Sequence, residues 1–333
     1  LKEADPSFEM YVMLGAWIDC LGAWTGEPDH TQEDPVNNRA EIDAAVELTR
    51  AYPDIVKVIA VGNEAMVHWA GSYYVGPEVI LKWVNYLQDL KKEGQLPGDL
   101  WITSSDNFAS WGGGDDSYHG EELQELMETV DYISLHSYPF HDSHYNPDYW
   151  LGPAEEEGLS DLEKIHAAML RARDYAISQY LAVEAYMKEV GVDKPLHIGE
   201  TGWASTCGFS YGPSGSRAAD EYKQKLFHDL MREWGASQGV ACFYFEAFDE
   251  SWKDRNNLLG SENHFGLIDL EGRAKYVLWE QVDQGIFQGL TRGGKAITKS
   301  YDGDLTRLMD EVMVPPSVLD PSSTRTSKIN EER

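Results

Sequence analysis

The chain has 333 residues, of which 42% are hydrophobic and 12% aromatic, enough for one α/β barrel or two smaller domains around a substantial core. Its 57 acidic and 27 basic residues leave a formal net charge of -30, a field that repels phosphate backbones and anionic lipid surfaces but is indifferent to an uncharged sugar polymer, so no nucleic acid partner is expected. Three cysteines, Cys20, Cys207 and Cys242, are too few for a disulfide scaffold and lack metal-ligand spacing, although Cys207 and Cys242 could meet if their strands are neighbours.

No apolar run approaches the ~18 residues of a membrane-spanning helix. In chain order, Met10 to Leu14 is a strand candidate leading to Gly15-Ala16-Trp17, where Trp17 could floor a groove or pack at a rim. A polar loop follows, then a helix from about Arg39 to Ala51 with Asn37 or Asn38 as its cap. The apolar run Val56 to Val61 reads as a buried strand that stops at Gly62 and delivers Asn63-Glu64 at its C-terminal edge. Pro77 starts an amphipathic helix whose apolar face runs from Val79 to Leu90 and ends at Gly94.

The next strand, Leu100 to Ser104, opens onto a loop ending in Gly112-Gly113-Gly114. That loop has neither the Lys-Ser/Thr of a P-loop nor a G-x-G-x-x-G pattern, which argues against a nucleotide, and no cofactor is expected. A short helix around Leu123 to Val130 precedes the strand Tyr132 to Leu135, which exits as His136-Ser137-Tyr138-Pro139. His136 is expected at the strand tip, bonded to an acid or hydroxyl; His141 and His144 ride on a polar loop rather than binding a metal.

Ser160 with Glu163 forms a capping box for a helix running toward Val190, with room for a break. Leu196 to Gly199 is a second apolar run ending in a glutamate, Glu200, followed by Thr201-Gly202-Trp203. A helix over about Ala218 to Trp234 leads to the strand Val240 to Phe245, whose exit carries Glu250 and Lys253 at ion-pair spacing. Gly266 to Asp269 reads as a short hairpin-like element and Tyr276 to Ile286 as a last helical segment, after which the βα rhythm is lost.

Two strands ending in a glutamate, with helices between, is the arrangement of a (β/α) barrel carrying paired acids at its C-terminal face. Glycosidic bond cleavage needs such a pair, one carboxyl to protonate the leaving oxygen and one carboxylate across the anomeric carbon. Asn63 is suited to holding a sugar hydroxyl. Ordinary strand-end acids facing water are the alternative.

The segments Val61-Gly62-Asn63-Glu64-Ala65 and Ile198-Gly199-Glu200-Thr201-Gly202-Trp203 resemble the two active-site segments of glycoside hydrolase family 17. So do Val12 to Trp17, Ser134 to Pro139 and Phe243 to Lys253, so the resemblance covers roughly residues 10 to 270. It implies a (β/α)8 TIM barrel in residues 1–285, with a C-terminal extension over 286–333. It also implies a retaining endo-β-1,3-glucanase acting on laminarin-type glucan, secreted, periplasmic or at the cell surface; a glucanosyltransferase and a non-catalytic glucan-binding protein are the alternatives.

Carried onto this sequence, the resemblance makes Glu64 the acid/base and Glu200 the nucleophile, with carboxyl groups ~5 Å apart. Glu250 and Lys253 take supporting positions, Tyr138, Trp203, Phe245 and Trp252 become stacking candidates, and Trp17, Asn63 and His136 complete the expected substrate-binding set. Met10 to Leu14 matches the family's third strand, so the first two βα units are expected upstream of Leu1, on another polypeptide, or replaced by the C-terminal tail.

Overall fold

The computed structural model describes residue 2 and residues 5–320. Six strands form one sheet: β1 (Val12–Ala16), β2 (Val56–Asn63), β3 (Trp101–Asn107), β4 (Ile133–His136), β5 (Leu196–Gly202) and β6 (Cys242–Phe245). They lie in sequence order, β1-β2-β3-β4-β5-β6, with β1 and β6 as edges. Each registered pair from β1 to β5 is parallel. Parallel neighbours joined through helices are the repeating unit of a (β/α)8 barrel, and six of its eight strands are present.

The longer helices are α1 (Pro35–Ala51), α2 (Pro77–Lys92), α3 (Glu121–Thr129), α4 (Pro139–Tyr145), α5 (Asp161–Val190) and α6 (Glu221–Gln238), followed by the short α7 (Trp279–Asp283), inside the expected last helical segment, and α8 (Leu305–Met309). The chain forms two compact units, residues 1–137 with 179–200, and residues 138–178 with 201–333. In the first, Ile59, Val61, Ile80, Val84, Leu87, Ile102, Leu126 and Ile198 are buried between the strands and their helices. The second is centred on aromatic rings, with Phe140, Trp150, Trp203, Phe227 and Phe265 all fully buried.

Several elements differ from the sequence expectation, each for a local reason. Helix α1 starts at Pro35, because Asp34 accepts from the backbone N–H of Val36 and Asn37. Asn38 is instead a buried helical residue whose amide holds the backbone of Asp19 through two bonds. Residues 139–145, expected as a polar loop, form α4, begun by Pro139 at its first turn.

Helix α5 is unbroken over 30 residues and opens on the expected capping box, with Ser160 donating to Glu163. The glycine-rich loop after β3 wraps around buried Trp111, whose indole donates to the Ser134 carbonyl at 3.0 Å. Residues 266–269 make single bridges, Phe248 with Ile268 and Ile268 with Ala274, rather than a hairpin. The late strands are two-residue pieces: Thr291–Arg292 pairs Lys295–Ala296, and Thr298–Lys299 pairs Arg273–Ala274. None of them joins the main sheet. Cys207 and Cys242 are both free. No helix among the described residues is long and apolar enough to cross a membrane.

Candidate active site

In the first unit, β2 ends on Gly62 at φ +79, where a Cβ would stand 2.9 Å from that of Ala65 and 3.0 Å from Ile80 Cδ1. Only glycine fits there, and the turn it makes puts Glu64 in the left-handed region at φ 47, its N–H bonded to the Ser105 carbonyl. Backbone held in a sparsely populated conformation by its surroundings is a recurring mark of functional sites.

β4 delivers His136 with no exposed surface. Its Nδ1 lies 3.1 Å from Glu64 Oε1 and 3.5 Å from Glu200 Oε2, and its Nε2 lies 2.7 Å from Ser105 Oγ. Two carboxylates brought from separate strand tips therefore meet on one nitrogen. Their contacting oxygens cannot be further apart than the two distances laid end to end, about 6.6 Å. That ceiling is at the bottom of the ~6.5–9.5 Å of inverting glycosidases and accommodates the ~5 Å of retaining ones. Both acids keep a surface for substrate, 18% and 23% of each side chain being exposed.

Burial by itself pulls the His136 pKa down, but the carboxylates of Glu200 and Glu64 outweigh it and hold it up at about 9. The ring is an imidazolium near neutral pH, donating from both nitrogens. Beneath Glu200, a Cβ on Gly199 would fall 2.0 Å from Ser134 Oγ and 2.6 Å from Ser105 Oγ, so glycine there makes room for the serine pair that backs His136. At the tip of β3, fully buried Asp106 accepts from the N–H of Met66 and of Asn107, each at 2.7 Å. Burial pushes its carboxyl up to about 7, helped by the charge of Glu64.

Asn63 is half-buried beside Glu64. Trp17 is half-buried too, with its indole donating to Asp19 Oδ1 at 2.6 Å and its ring 5.2 Å from that of Tyr73.

In the second unit, Lys253 Nζ stands 3.8 Å from Glu246 Oε2, 3.7 Å from Glu250 Oε2 and 4.0 Å above the Phe245 ring. Trp252 lies beside the same ammonium, at 5.6 Å, and is 59% exposed. Tyr138 meets Phe245 edge-on, with Phe265 completing the group. Burial pushes the Glu246 carboxyl up to about 8; Lys253 opposes the shift, while Glu250 and Asp249 add to it.

The family model for the BtgE/BtgC glycoside hydrolase domain matches residues 8–266. The chain belongs to that family. It is 59% identical to an endo-laminarinase from Formosa Hel1_33_131, whose crystal structure superposes with a TM-score of 0.94 over 96% of this chain and 81% of that one. A glucan 1,3-beta-glucosidase of Arthroderma benhamiae is 26% identical over 274 residues, which are 80% of this chain and 70% of that protein. The glycoside hydrolase family 17 beta-1,3-glucanosyltransferase of Rhizomucor miehei shares the fold, with a TM-score of 0.50 at 21% identity over 78% of this chain and 72% of that one. The family-17 resemblance read from the sequence segments holds.

Two sequence-predicted site residues of this glycoside hydrolase domain have to be corrected. His136, expected to bind substrate, has no exposed surface and instead braces Glu64 and Glu200. Trp203 is fully buried, donates its indole N–H to the Ala218 carbonyl at 2.8 Å, and packs against Phe140, Trp150 and Phe227. No face is left for a sugar. The large side chain after Gly202 forms core, because a ring this size contributes more buried apolar area than any other residue the turn could carry.

Sequence reasoning also passed over Asp106, Glu246, Tyr73 and Trp24. Asp106 and Glu246 were findable by the signal that found Glu64 and Glu200, an acid at the end of an apolar run. Tyr73 and Trp24 are placed by loops and carry no such signal.

Proposed function

We propose that this domain hydrolyses internal β-1,3 bonds of laminarin-type glucan with net retention, Glu200 acting as nucleophile and Glu64 as acid/base. The observation that carries the reading is the convergence of Glu64 and Glu200 from separate strand tips on His136 Nδ1. The relatives support the substrate: both the Formosa endo-laminarinase and the Arthroderma glucan 1,3-beta-glucosidase are hydrolases by name, which favours water over a sugar acceptor.

In the first step the Glu64 carboxyl gives its proton to the glycosidic oxygen as the C1–O bond breaks. A Glu200 oxygen then bonds C1 from the opposite face, leaving a glycosyl ester. In the second step Glu64, now a carboxylate, takes a proton from water whose oxygen attacks C1. The ester bond breaks and Glu200 is released as a carboxylate. Throughout, the His136 imidazolium balances charge between the two acids and fixes the oxygens that point toward it. In this reading Asn63, next to Glu64 in the chain, bonds a sugar hydroxyl; for Phe245, Trp252 and Lys253 of the second unit, a role as sugar contacts rests on the family resemblance. A polymer of this kind is met outside the cytoplasm, so the enzyme is assigned to the periplasm, the cell surface or the medium.

The test is laminarin digestion followed by NMR of the new reducing ends as they form. Products should appear first as β anomers, and Glu200→Gln should lower kcat by about 10³-fold or more. Initial α products would overturn retention. Binding without products from the unmutated protein would make it a glucan-binding module, and chains longer than the substrate would make it a transferase.

A further inference from the structure

Trp24 is a large ring left in solvent by a loop that otherwise holds it still. It is 63% exposed and sits in the left-handed region at φ 64, a conformation that costs free energy for a bulky residue. Its N–H is tied to the Ser72 carbonyl at 2.9 Å. The neighbouring Trp17 indole N–H donates to the carboxylate of Asp19 at 2.6 Å, and the Trp17 and Trp24 rings lie 6.4 Å apart. Asp19 is itself fixed, because its backbone N–H and C=O are both bonded by buried Asn38, at 2.9 and 3.0 Å.

Asp19 thus pins the Trp17 indole, and the Tyr73 ring closes the group, stacked on Trp24 with centroids 4.8 Å apart and 5.2 Å from Trp17. Tyr73 also lies within electrostatic reach of the acids: besides burial, the charges of Glu64, Asp106, Asp19 and Glu200 all push its phenol up. A mostly exposed apolar ring held in a costly backbone conformation contributes little burial to folding. What it offers is a preorganised flat face.

We propose that Trp24, backed by Tyr73, is a binding platform for a glucosyl residue of the bound chain, one or more units away from the bond being cleaved. The axial C–H face of a β-glucosyl ring is apolar and its rim polar, matching an indole face with a carboxylate at its edge. The net charge of -30 and the carboxylates around the platform disfavour an anionic ligand. The assignment of a β-1,3-glucan chain as occupant rests on the function proposed above.

The test uses calorimetry with laminarihexaose and laminaribiose on the full chain carrying Glu200→Gln, which keeps the ligand intact, alone and combined with Trp24→Ala or Trp24→Phe. Because the side chain is mostly exposed, melting curves should confirm that both double variants fold. Trp24→Ala should weaken hexaose binding about tenfold and biose binding less, and Trp24→Phe should restore most of the difference. Equal hexaose affinity with and without Trp24 would overturn the platform, as would a parent protein that binds no hexaose or a loss that is the same for both ligands. The two readings separate cleanly. Laminarin cleavage with hexaose binding indifferent to Trp24 keeps the hydrolase and removes the platform; Trp24-dependent binding with no cleavage by the unmutated chain does the reverse.

Discussion

Each compact unit gathers carboxylates around one cation, and the two solve the same charge problem differently. In the first, the cation is the imidazolium of His136, wholly buried, with Glu64 and Glu200 on one nitrogen and Ser105 on the other. In the second it is the ammonium of Lys253, 20% exposed, set between Glu246 and Glu250 and over the Phe245 ring. An imidazolium has two N–H directions fixed in a rigid plane, so it dictates where its partners' oxygens lie; an ammonium on a four-carbon stem follows its partners. Both clusters also hold an acid whose proton affinity burial raises, Asp106 to about 7 and Glu246 to about 8. The rigid cation is found where the proposed reaction needs two oxygens at a set separation, the flexible one where that proposal sets no such constraint.

The hardest test of that contrast is His136→Ala. It leaves the carboxylates without their central charge and opens a hole under them, so kcat on laminarin should fall about 100-fold and stability by about 3 kcal/mol. His136→Gln separates the two effects, since it fills the space without charge: it should recover most of the melting temperature and little of the rate. The unmutated enzyme should lose kcat/KM as pH rises through about 9, where the ring gives up its proton. The same ionisation contributes stability that is complete below about 6.5 and declines up to about 9, because the folded form binds the proton more tightly than the unfolded chain. A rate profile flat through pH 9 would show that the cation is dispensable.

Glu246→Gln breaks the other half of the comparison. The folded protein keeps the Glu246 carboxyl protonated up to about 8, whereas the unfolded chain releases that proton near 4.5. The folded state therefore binds more protons across that window, and its stability declines as pH rises through it. Glutamine is neutral at every pH. The variant should melt like the unmutated protein at about pH 4 and several degrees above it at about pH 9. Identical melting at both pH values would mean that Lys253 already neutralises both neighbouring acids.

How much of this was legible beforehand follows from what sequence patterns encode. Buried parallel strands are continuous apolar runs, so all six were found, and an acid at the end of a run marks a strand tip, which is how Glu64 and Glu200 were chosen. His136 was expected to hydrogen bond an acid or a hydroxyl, and it bonds one of each, Glu64 and Ser105, with Glu200 3.5 Å away. What stayed hidden depends on contacts between residues far apart in the chain. Nothing local distinguishes buried Trp203 from exposed Trp24, although one is core and the other solvent-facing. Nor could spacing show that Asn38 had left the cap of α1 to brace Asp19, because Asp34, four residues earlier, is an equally good cap by type.

The finest test concerns what lies behind the imidazolium. Ser105 Oγ accepts from His136 Nε2 at 2.7 Å and is itself backed by Ser134 Oγ at 3.0 Å, so the second proton of the ring has a buried partner of its own. The ammonium of Lys253 has an aromatic face there instead. Ser105→Ala removes the acceptor without touching either glutamate. A hydrogen bond to a charged group is worth about 1.5 kcal/mol, close to one pH unit of proton affinity. The alkaline limb of kcat/KM should therefore move from about 9 to about 8, with kcat at about pH 6 reduced no more than about threefold. If the limb stays where it is, the carboxylates alone hold the proton. His136 would then behave as a point charge, as Lys253 does, and its rigid geometry would lose its significance.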